Sequence, residues 1–496
     1  MKEKKMGLSK RQKTAPLMPM EDPLMELPDG ILSSIISLLS LKEAVKTSIL
    51  SKRWQLIWTS HSDLCFDAVN VLGSGRRAEP HCVFNCQNEM DKKLQRNRFI
   101  KRVDQFMQQR CWGPKVNSFA IHFHLGKEST SHVDHWLSCA VMKAVENIDL
   151  NLSVWFRPEV DFSSSTALEN YRFPCWLLAA PGKTCSTVKH LQLASCSLGA
   201  SSCPNFLTSL VTLELRSVTI NDEQVKTLLS NCLLLERLSL HLCNDLVNLN
   251  IAEPKARLKV LNIQNCLRLE KIEICAENLV LLEYTGFLIK FSLKCVPKLV
   301  EVFLNFTGES RIKGVTYALT RFASYLPQLE TLNLLCVLGM KALKLPENVV
   351  AITNVRRLML TVFPFDDEDE LCWISYILKA FPLLQKLQLN LFSPSFIRKP
   401  REVERHFPKC PHKHVTEVEI NGFYGNQHEA ELLTYLLGNL VELKTLVIGP
   451  RQKVYKGGFN KWVYEEPSCS CYKLRAESVR EWLKIVVPLT VHLEIC

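Results

Sequence analysis

The sequence predicts an α/β protein in which a short helical segment near the N-terminus precedes a long, curved solenoid with a parallel β-strand ladder. An apolar-x-x-apolar-x-apolar pattern recurs eleven times between residues 188 and 448, which indicates a repeat array. Residues 27–58 contain dense apolar positions at helical spacing. The length of 496 residues also exceeds what one compact core usually organises.

The recurring pattern has the spacing of leucine-rich repeats. Its copies start at Val188, Leu210, Leu235, Leu258, Leu279, Leu299, Leu329, Val355, Leu384, Val415 and Leu443. These starts span 255 residues in ten steps, a mean period of 25.5 with steps from 20 to 31, against about 20–29 in such repeats. The last two apolar positions of each copy point to the same side of one strand, and only stacked copies can bury that side.

Two weaker matches extend the predicted array, and segments between the strands predict its outer layer. Matches at 116–121 and 145–150 place the start of the array near residue 116. Residues 222–229 have helical spacing and predict an outer helix. Cys196, Cys243 and Cys266 follow their strands at the position where such repeats place Asn or Cys, and there a small polar side chain can hydrogen-bond the turn backbone.

Composition and charge narrow the class of protein. Of the net charge of +11, residues 1–13 carry +5, so the remaining chain does not favour nucleic acid. That basic tail is either a nuclear import signal or a solvated tail, and both remain open. No apolar run is long enough for a membrane span and no secretory signal is present. We therefore expect an intracellular chain, in the nucleus and/or the cytoplasm, whose 20 cysteines are reduced.

Residues 27–58 are expected to form three short helices. Pro28 suits a first helical turn, and Ser51 can cap a third helix that carries Trp54 and Trp58 at i, i+4. So short a segment cannot easily bury this much apolar surface by itself. It therefore needs either a partner protein or the first repeats as cover, and the sequence alone leaves both open.

The run Thr47-Ser48-Ile49-Leu50-Ser51-Lys52-Arg53-Trp54, preceded by Leu27-Pro28-Asp29 and followed by Trp58, resembles the plant F-box. The resemblance covers residues 23–66 and departs from the pattern at Ser40, where many members carry proline. It implies docking to a Skp-family adaptor and, through it, to a cullin. The adaptor contacts that it implies are Leu27, Pro28, Ile31, Ile35, Val45, Leu50 and Trp54.

Residues 412–448, with Gly422-Phe423-Tyr424-Gly425 and Glu429, resemble the FBD region that closes many plant F-box/leucine-rich repeat proteins. This stretch predicts strand, turn, helix and strand, which would cap the solenoid. The expected organisation is a basic disordered tail (1–22), an F-box (23–66), a linker (67–115), leucine-rich repeats (116–405), an FBD-like region (406–450) and a C-terminal cap (451–496).

Several residues invite catalytic or metal-binding hypotheses. Cys410-x-His412-x-His414 and Cys469-x-Cys471 lack the paired spacing of structural zinc sites, so we predict loop residues and no metal or cofactor. Without a carboxylate or nucleophile fixed beside them, the histidines at 122, 124, 132 and 135 are expected to be ordinary surface or partly buried residues, and we predict no catalytic residue. The acidic run 366–370 is either a solvated loop or a contact for a basic ligand.

These expectations combine into one functional hypothesis and one alternative. The chain is expected to be a non-catalytic substrate-recognition subunit of an SCF-type (Skp–cullin–F-box) ubiquitin ligase, with an unidentified protein substrate on the concave face. Candidate substrate contacts are Glu214, Arg237, Asn262, Glu283, Asn333 and Gln388. The alternative is a leucine-rich repeat scaffold or adaptor that never joins a ligase.

Overall fold

The computed structural model of the protein describes residues 27–39, 41–58, 61–73, 89–109, 115–153, 170–178, 186–198, 207–252, 257–336, 350–363, 372–393, 409–457, 461–465 and 471–496. In this part of the chain the helices are α1 (Asp29–Ser37), α2 (Leu41–Thr47), α3 (Lys52–Ile57), α4 (Ala68–Leu72), α5 (Glu89–Gln109), α6 (Thr130–Met142), α7 (Asp222–Asn231), α8 (Arg311–Tyr317), α9 (Cys372–Ala380), α10 (Gln427–Asn439) and α11 (Cys471–Val486). The strands are β1 (Asp63–Asp67), β2 (Ser118–His122), β3 (Asn147–Asn151), β4 (Tyr171–Phe173), β5 (His190–Ala194), β6 (Cys196–Leu198), β7 (Thr212–Arg216), β8 (Arg237–His241), β9 (Asn248–Ile251), β10 (Val260–Gln264), β11 (Lys271–Cys275), β12 (Leu281–Gly286), β13 (Lys290–Lys294), β14 (Glu301–Phe306), β15 (Thr331–Cys336), β16 (Arg357–Val362), β17 (Lys386–Leu391), β18 (Glu417–Asn421), β19 (Thr445–Gly449), β20 (Gln452–Tyr455), β21 (Trp462–Glu465) and β22 (His492–Ile495).

A single parallel sheet, here called the ladder, runs through the described part of the chain and confirms the predicted α/β solenoid. Its fifteen strands follow the order β1-β2-β3-β5-β7-β8-β10-β12-β14-β15-β16-β17-β18-β19-β22. All eleven predicted copies and both weaker matches are strands of this sheet. The ladder also contains β1 and β22, which the spacing did not reveal, so it begins well before residue 116.

The alternating side chains of the ladder separate a core from a concave face. The second and fourth residues of each strand point inward, as Leu261 and Ile263 of β10 do, and both are fully buried. The third residues align across neighbouring strands, so that Asn262 lies between Ser239 and Glu283 on the concave face. One apolar core follows the ladder from α2 to α11.

The length of each repeat decides what forms the outer layer. The short repeats of 20–23 residues that follow β8, β10 and β12 return through strands β9, β11 and β13, which form a small parallel sheet. Longer repeats hold the helices α8, α9 and α10 instead. A helix advances only about 1.5 Å per residue, whereas a strand advances about 3.3 Å, so a helix needs more residues to cover the same distance. The predicted helix at 222–229 is α7, whose Asn221 and Gln224 form a capping box.

A tight turn closes several of the ladder strands. Ser195, Ser217, Leu242 and Asn265 follow their strands with φ between 50° and 56°, in the left-handed region. Each backbone N–H donates to a carbonyl of the next strand, as in the 2.7 Å bond from Asn265 to Thr285, so the ladder continues through the turn. The thiols of Cys243 and Cys266 donate to the Leu215 and Leu240 carbonyls at 3.7 Å, as predicted, and the Cys196 side chain is fully buried.

The cysteines of the described residues are mostly free thiols, as expected. They include the stacked Cys243 and Cys266 of neighbouring turns. Cys175 is an exception, because it is disulfide-bonded. The expectation of fully reduced cysteines is therefore wrong at this position.

Candidate functional site

The three-helix segment, residues 27–58, has a small core of its own. Leu32, Ile36, Ala44, Trp54 and Ile57 are buried together and are separate from the main core. This number of apolar contacts is small, which agrees with the expectation that the segment needs further cover.

Polar contacts fix the relative position of its first and third helices. The Arg53 guanidinium of α3 forms an ion pair with Asp29 of α1 at 2.6 Å and donates to the Leu27 carbonyl. Ser51 accepts a hydrogen bond from the Trp54 backbone at 3.3 Å, so the predicted cap of the third helix is present. The Pro28 carbonyl accepts the first helical hydrogen bonds of α1, one residue outside the helix.

One side of this segment packs against the solenoid. Helix α2 contacts β1 and α4, and its Leu41 belongs to the main core of the ladder. Val45 packs against the same core, and the ring of Trp58 lies 6.0 Å from that of Phe106 on α5. The first repeats therefore cover part of the segment.

The segment also exposes six large apolar side chains to solvent, here called the apolar face. It consists of Ile31, Ile35, Leu38, Ile49, Leu50 and Leu56. Leu38 is 86% exposed, Ile49 84% and Leu56 74%. Large exposed apolar side chains concentrated in so short a segment are typical of protein-binding sites.

The predicted adaptor contacts divide between this face and the interior. Pro28, Ile31, Ile35 and Leu50 are exposed, and their contact with an adaptor remains a prediction. Trp54 is only 3% exposed, because it fills the core beneath the face. Leu27 and Val45 are partly buried, against the segment's own core and the solenoid respectively. Leu38, Ile49 and Leu56 are exposed as well, but they are not among the predicted adaptor contacts, although Ile49 lies within the run that carries the resemblance.

The candidate substrate contacts on the concave face are less open than expected. Arg237 is exposed and Glu214 is half-buried. Asn262, Glu283, Asn333 and Gln388 are buried, so the expectation that strand side chains stay accessible is wrong for these four. Two causes account for this burial.

The first cause is hydrogen bonding between neighbouring strands. Asn333 donates to Glu301 at 2.9 Å and Gln388 donates to Glu419 at 2.8 Å, so each amide is drawn against the sheet.

The second cause is the antiparallel hairpin of β20 and β21, here called the hairpin, which lies across the middle of the concave face. The Tyr455 hydroxyl of the hairpin accepts a hydrogen bond from Asn262 at 3.2 Å.

The first ladder strands bring a thiol, an imidazole and a carboxylate into one neighbourhood. His122 lies 2.7 Å from Asp149, so the expectation that no carboxylate stands beside this histidine is wrong. The carboxylates of Asp67 and Asp149 lie close enough to Cys65 to change the pKa of its thiol. Burial and these two carboxylates raise the pKa of Cys65 to about 11. A nucleophilic cysteine needs a lowered pKa, so this arrangement does not activate the thiol.

Two other histidines, His132 and His412, also have structural partners. His132 lies 3.0 Å from Asp104, which also accepts from the Trp136 indole at 2.8 Å. The two ring nitrogens of His412 contact the Phe381 carbonyl at 3.0 Å and the Val415 backbone N–H at 3.1 Å. Among the described residues no group of three or more His, Cys, Asp or Glu could hold a metal ion.

The FBD-like stretch has the predicted order of strand, helix and strand in β18, α10 and β19. Glu429 of α10 is fully buried and accepts hydrogen bonds from the Tyr424 and Asn426 backbone N–H groups at 2.7 and 3.1 Å and from the Ser393 hydroxyl at 2.6 Å. This carboxylate fixes the turn between β18 and α10. The ladder does not end here, because β22 adds to β19 beyond it.

Some predictions fall outside the described residues or concern the membrane. The basic tail, the acidic run 366–370 and Cys469 lie outside the described ranges, and so does the side chain of Cys471. In the described part of the chain, no helix combines the length and apolar character needed to cross a membrane.

Comparisons with known proteins match both parts of the chain. A family model described as "F-box domain" matches residues 24–66, and one described as "At1g61320/AtMIF1, LRR domain" matches residues 108–495. Three similar proteins come from Arabidopsis thaliana. F-box/FBD/LRR-repeat protein At1g13570 is 24% identical over 86% of this chain and 91% of its own length. FBD-associated F-box protein At3g52670 is 25% identical over 86% of this chain and 88% of its own length.

The third relative, F-box/LRR-repeat protein At5g02910, is 30% identical over 47% of this chain and 42% of its own length. The chain thus spans most of two of these relatives and less than half of the third.

Proposed function

Because the chain belongs to the family of plant F-box proteins with leucine-rich repeats, we propose that it is the substrate-recognition subunit of an SCF-type ubiquitin ligase. In this role the F-box binds a Skp-family adaptor, which connects the chain to a cullin. The solenoid holds a protein substrate. The chain itself forms and breaks no covalent bond, and it works in the nucleus or the cytoplasm.

The observation that carries this proposal is the apolar face on an otherwise anchored segment. If the three helices were only a cap on the solenoid, their apolar residues would face the first repeats. Instead Leu41 and Val45 face the repeats while Leu38, Ile49 and Leu56 face solvent. Burying an exposed leucine-sized side chain in an interface contributes about 1.5–3 kcal/mol, so six such residues supply a strong docking surface.

The rigid attachment of the segment gives the mechanism its geometry. The contact between Trp58 and Phe106 and the core position of Leu41 hold the apolar face in a fixed orientation to the ladder. A substrate on the solenoid would then be held at a defined distance from the ubiquitin-charged enzyme of the complex. This raises the effective concentration of its lysines without any catalytic residue in this chain.

The accessible part of the concave face is the proposed substrate side. Strands β3 to β8 precede the region under the hairpin, and there Arg237 and Arg216 are exposed while Gln192 and Glu214 are half-buried. Such side chains can vary without disturbing the core, since the residues beside them fill it.

The test is capture of a Skp-family adaptor by the full-length chain. The double variant Leu38→Asp/Ile49→Asp removes two apolar contacts, and both side chains are so exposed that the fold should be kept. We expect at least a tenfold loss of adaptor capture. Leu489→Asp is the matched control, because Leu489 is fully exposed at the other end of the chain, before β22, and its substitution should change nothing.

The same experiment separates the proposal from its alternative. A wild-type chain that fails to capture any Skp-family adaptor, or a double variant that captures it as well as wild type, would refute the ligase proposal. Either result would favour a leucine-rich repeat scaffold without ligase association. The predicted contacts Leu27 and Pro28 are tested in the same assay by changing both to alanine.

A further inference from the structure

The hairpin occupies the middle of the concave face with aromatic rings. Tyr455 stacks on Phe303 of β14, with ring centroids 4.1 Å apart and an angle of 28° between the rings. Trp462 meets the same phenylalanine edge-on at 5.8 Å and lies 5.2 Å from Tyr455. Phe303 is the third residue of its strand, a position that points away from the core, and the hairpin leaves it only 2% exposed.

Polar groups surround this aromatic cluster and complete a specific contact. The Tyr455 hydroxyl accepts hydrogen bonds from Asn262 at 3.2 Å and Gln264 at 3.5 Å. Asn262 also donates to Glu283, whose carboxylate is buried. Burial and the nearby Glu283 raise the pKa of the Tyr455 hydroxyl, so it remains a neutral donor and acceptor. Three neighbouring strands, β10, β12 and β14, therefore contribute to recognition of one tyrosine.

The rest of the hairpin is tied to the far side of the face. Gly457 has a φ of +83°, and a side chain there would lie 3.1 Å from the Gln264 amide oxygen, so the backbone fits closely against β10. Near β18, the Tyr464 hydroxyl lies 3.3 Å from Glu419 and the Lys453 ammonium 3.8 Å from the same carboxylate. The hairpin thus spans the concave face from β18 to β10.

We propose that the middle of the concave face is a recognition surface for an aromatic segment of a partner protein. In the unbound chain the hairpin occupies this surface in place of the partner segment. Phe303 supplies the stacking platform, and Asn262, Gln264 and Glu283 supply the polar partners for a tyrosine hydroxyl. A partner segment that reaches these strands presents an aromatic residue, best a tyrosine, and displaces the hairpin. This deepens the proposed function and rests on it for the statement that the partner is a substrate.

The hairpin and a segment of another molecule should compete for this surface. The hairpin is covalently attached, so its effective concentration at this surface is high and a free segment must overcome it. Removing the two rings of the hairpin should therefore uncover a surface that still recognises the same chemistry. The fitting probe is the hairpin itself, supplied as a separate molecule.

The experiment uses the full-length chain and a fluorescent cyclic peptide with the sequence of residues 451–466. Cyclisation limits the ordering cost, because an isolated two-stranded hairpin is only marginally stable in water. Fluorescence anisotropy compares wild type, the uncovered variant Tyr455→Ala/Trp462→Ala, and Val463→Ala. Val463 is an exposed residue of the same hairpin and provides the matched control.

We expect the peptide to bind the uncovered variant at least tenfold more tightly than it binds wild type or Val463→Ala. A peptide that carries Tyr455→Ala should bind the uncovered variant at least tenfold more weakly. Equal binding of the parent peptide to all three chains, or no binding to a folded uncovered variant, would overturn the inference. Circular dichroism and a thermal melt establish that the variant is folded.

A second variant keeps the test decisive if the double variant does not fold. Tyr455→Phe keeps the stacked ring and removes the hydroxyl together with the hydrogen bonds that it accepts from Asn262 and Gln264, and we expect peptide binding to rise roughly fivefold over wild type. No change in binding would contradict the proposal. Adaptor capture by these variants should equal that of wild type, so failure of this inference is distinguishable from failure of the proposed function.

Discussion

Replacing Glu429 by alanine is expected to destabilise the C-terminal end of the ladder. The carboxylate is fully buried and receives hydrogen bonds from the Tyr424 and Asn426 backbone N–H groups and from the Ser393 hydroxyl. Alanine leaves these three donors without their acceptor. Each unsatisfied buried donor costs about 1–3 kcal/mol, and allowing for water entering the space, we expect a loss of roughly 3–5 kcal/mol. Glu429→Gln keeps one oxygen acceptor and should cost about 1–2 kcal/mol.

The assay must report on this end of the molecule, because solenoids unfold in parts. Hydrogen exchange of the β18 and β19 amides, followed with and without low urea, measures the local free energy of opening. Glu442→Ala removes the same charge from an exposed position close to the same elements, and it should change that free energy by less than about 0.5 kcal/mol. If Glu429→Ala changed it no more than this control, the reasoning about the buried network would be refuted.

Three further predictions concern a ladder turn and two histidines. Asn265→Val places a β-branched residue at φ 51° and should lower the free energy of unfolding by roughly 1–2 kcal/mol, whereas Asn265→Gly should keep it, as urea denaturation can measure. Asp149 raises the pKa of His122 above its ordinary 6.5. Their ion pair therefore contributes stability that is fully present below pH 6.5 and is lost as the pH rises through the raised pKa. The variant His122→Gln should abolish this loss in urea titrations between about pH 6 and 8.5. Burial and Arg216 lower the pKa of His241 to about 4, so the unfolded chain takes up a proton on this histidine before the folded chain does. The free energy of unfolding should therefore decrease as the pH falls from 6.5 towards 4. A His241→Gln variant with the same decrease would contradict this prediction.

The repeat spacing predicted most of the ladder because every copy must bury the same two positions. It missed the first and last strands for a specific reason. In β1 and β22 the apolar pairs are present, but the anchor three residues earlier is His61 in one case and Thr490 in the other. His61 is buried nevertheless, so the fold accepts a histidine where the pattern expects an aliphatic residue. The tertiary stacking of neighbours, rather than the local pattern, decided these two strands.

The three-helix segment shows how much of an exposed apolar surface the sequence can predict. Apolar density in a short segment predicted that it needs cover, and the resemblance indicated an F-box. Which residues face the solenoid and which face solvent depends on how α2 and α3 pack against β1, α4 and α5. Trp54 is buried in the segment's own core and Leu41 against the solenoid, whereas Leu38 stays exposed, although all three are apolar residues of the same segment.

The sequence by itself determined the repeat architecture, the position of the three-helix segment and the structural role of the turn cysteines, because each depends on periodicity or on neighbours close in the chain. Only the tertiary structure decided what the concave face presents. The contact between Asn262 and Tyr455 joins residues 193 positions apart, and no local pattern specifies such a pairing. It arises because the hairpin that follows β19 reaches back to β10 and β14, where aromatic stacking and hydrogen bonds hold it over side chains that the strand pattern alone would leave in solvent.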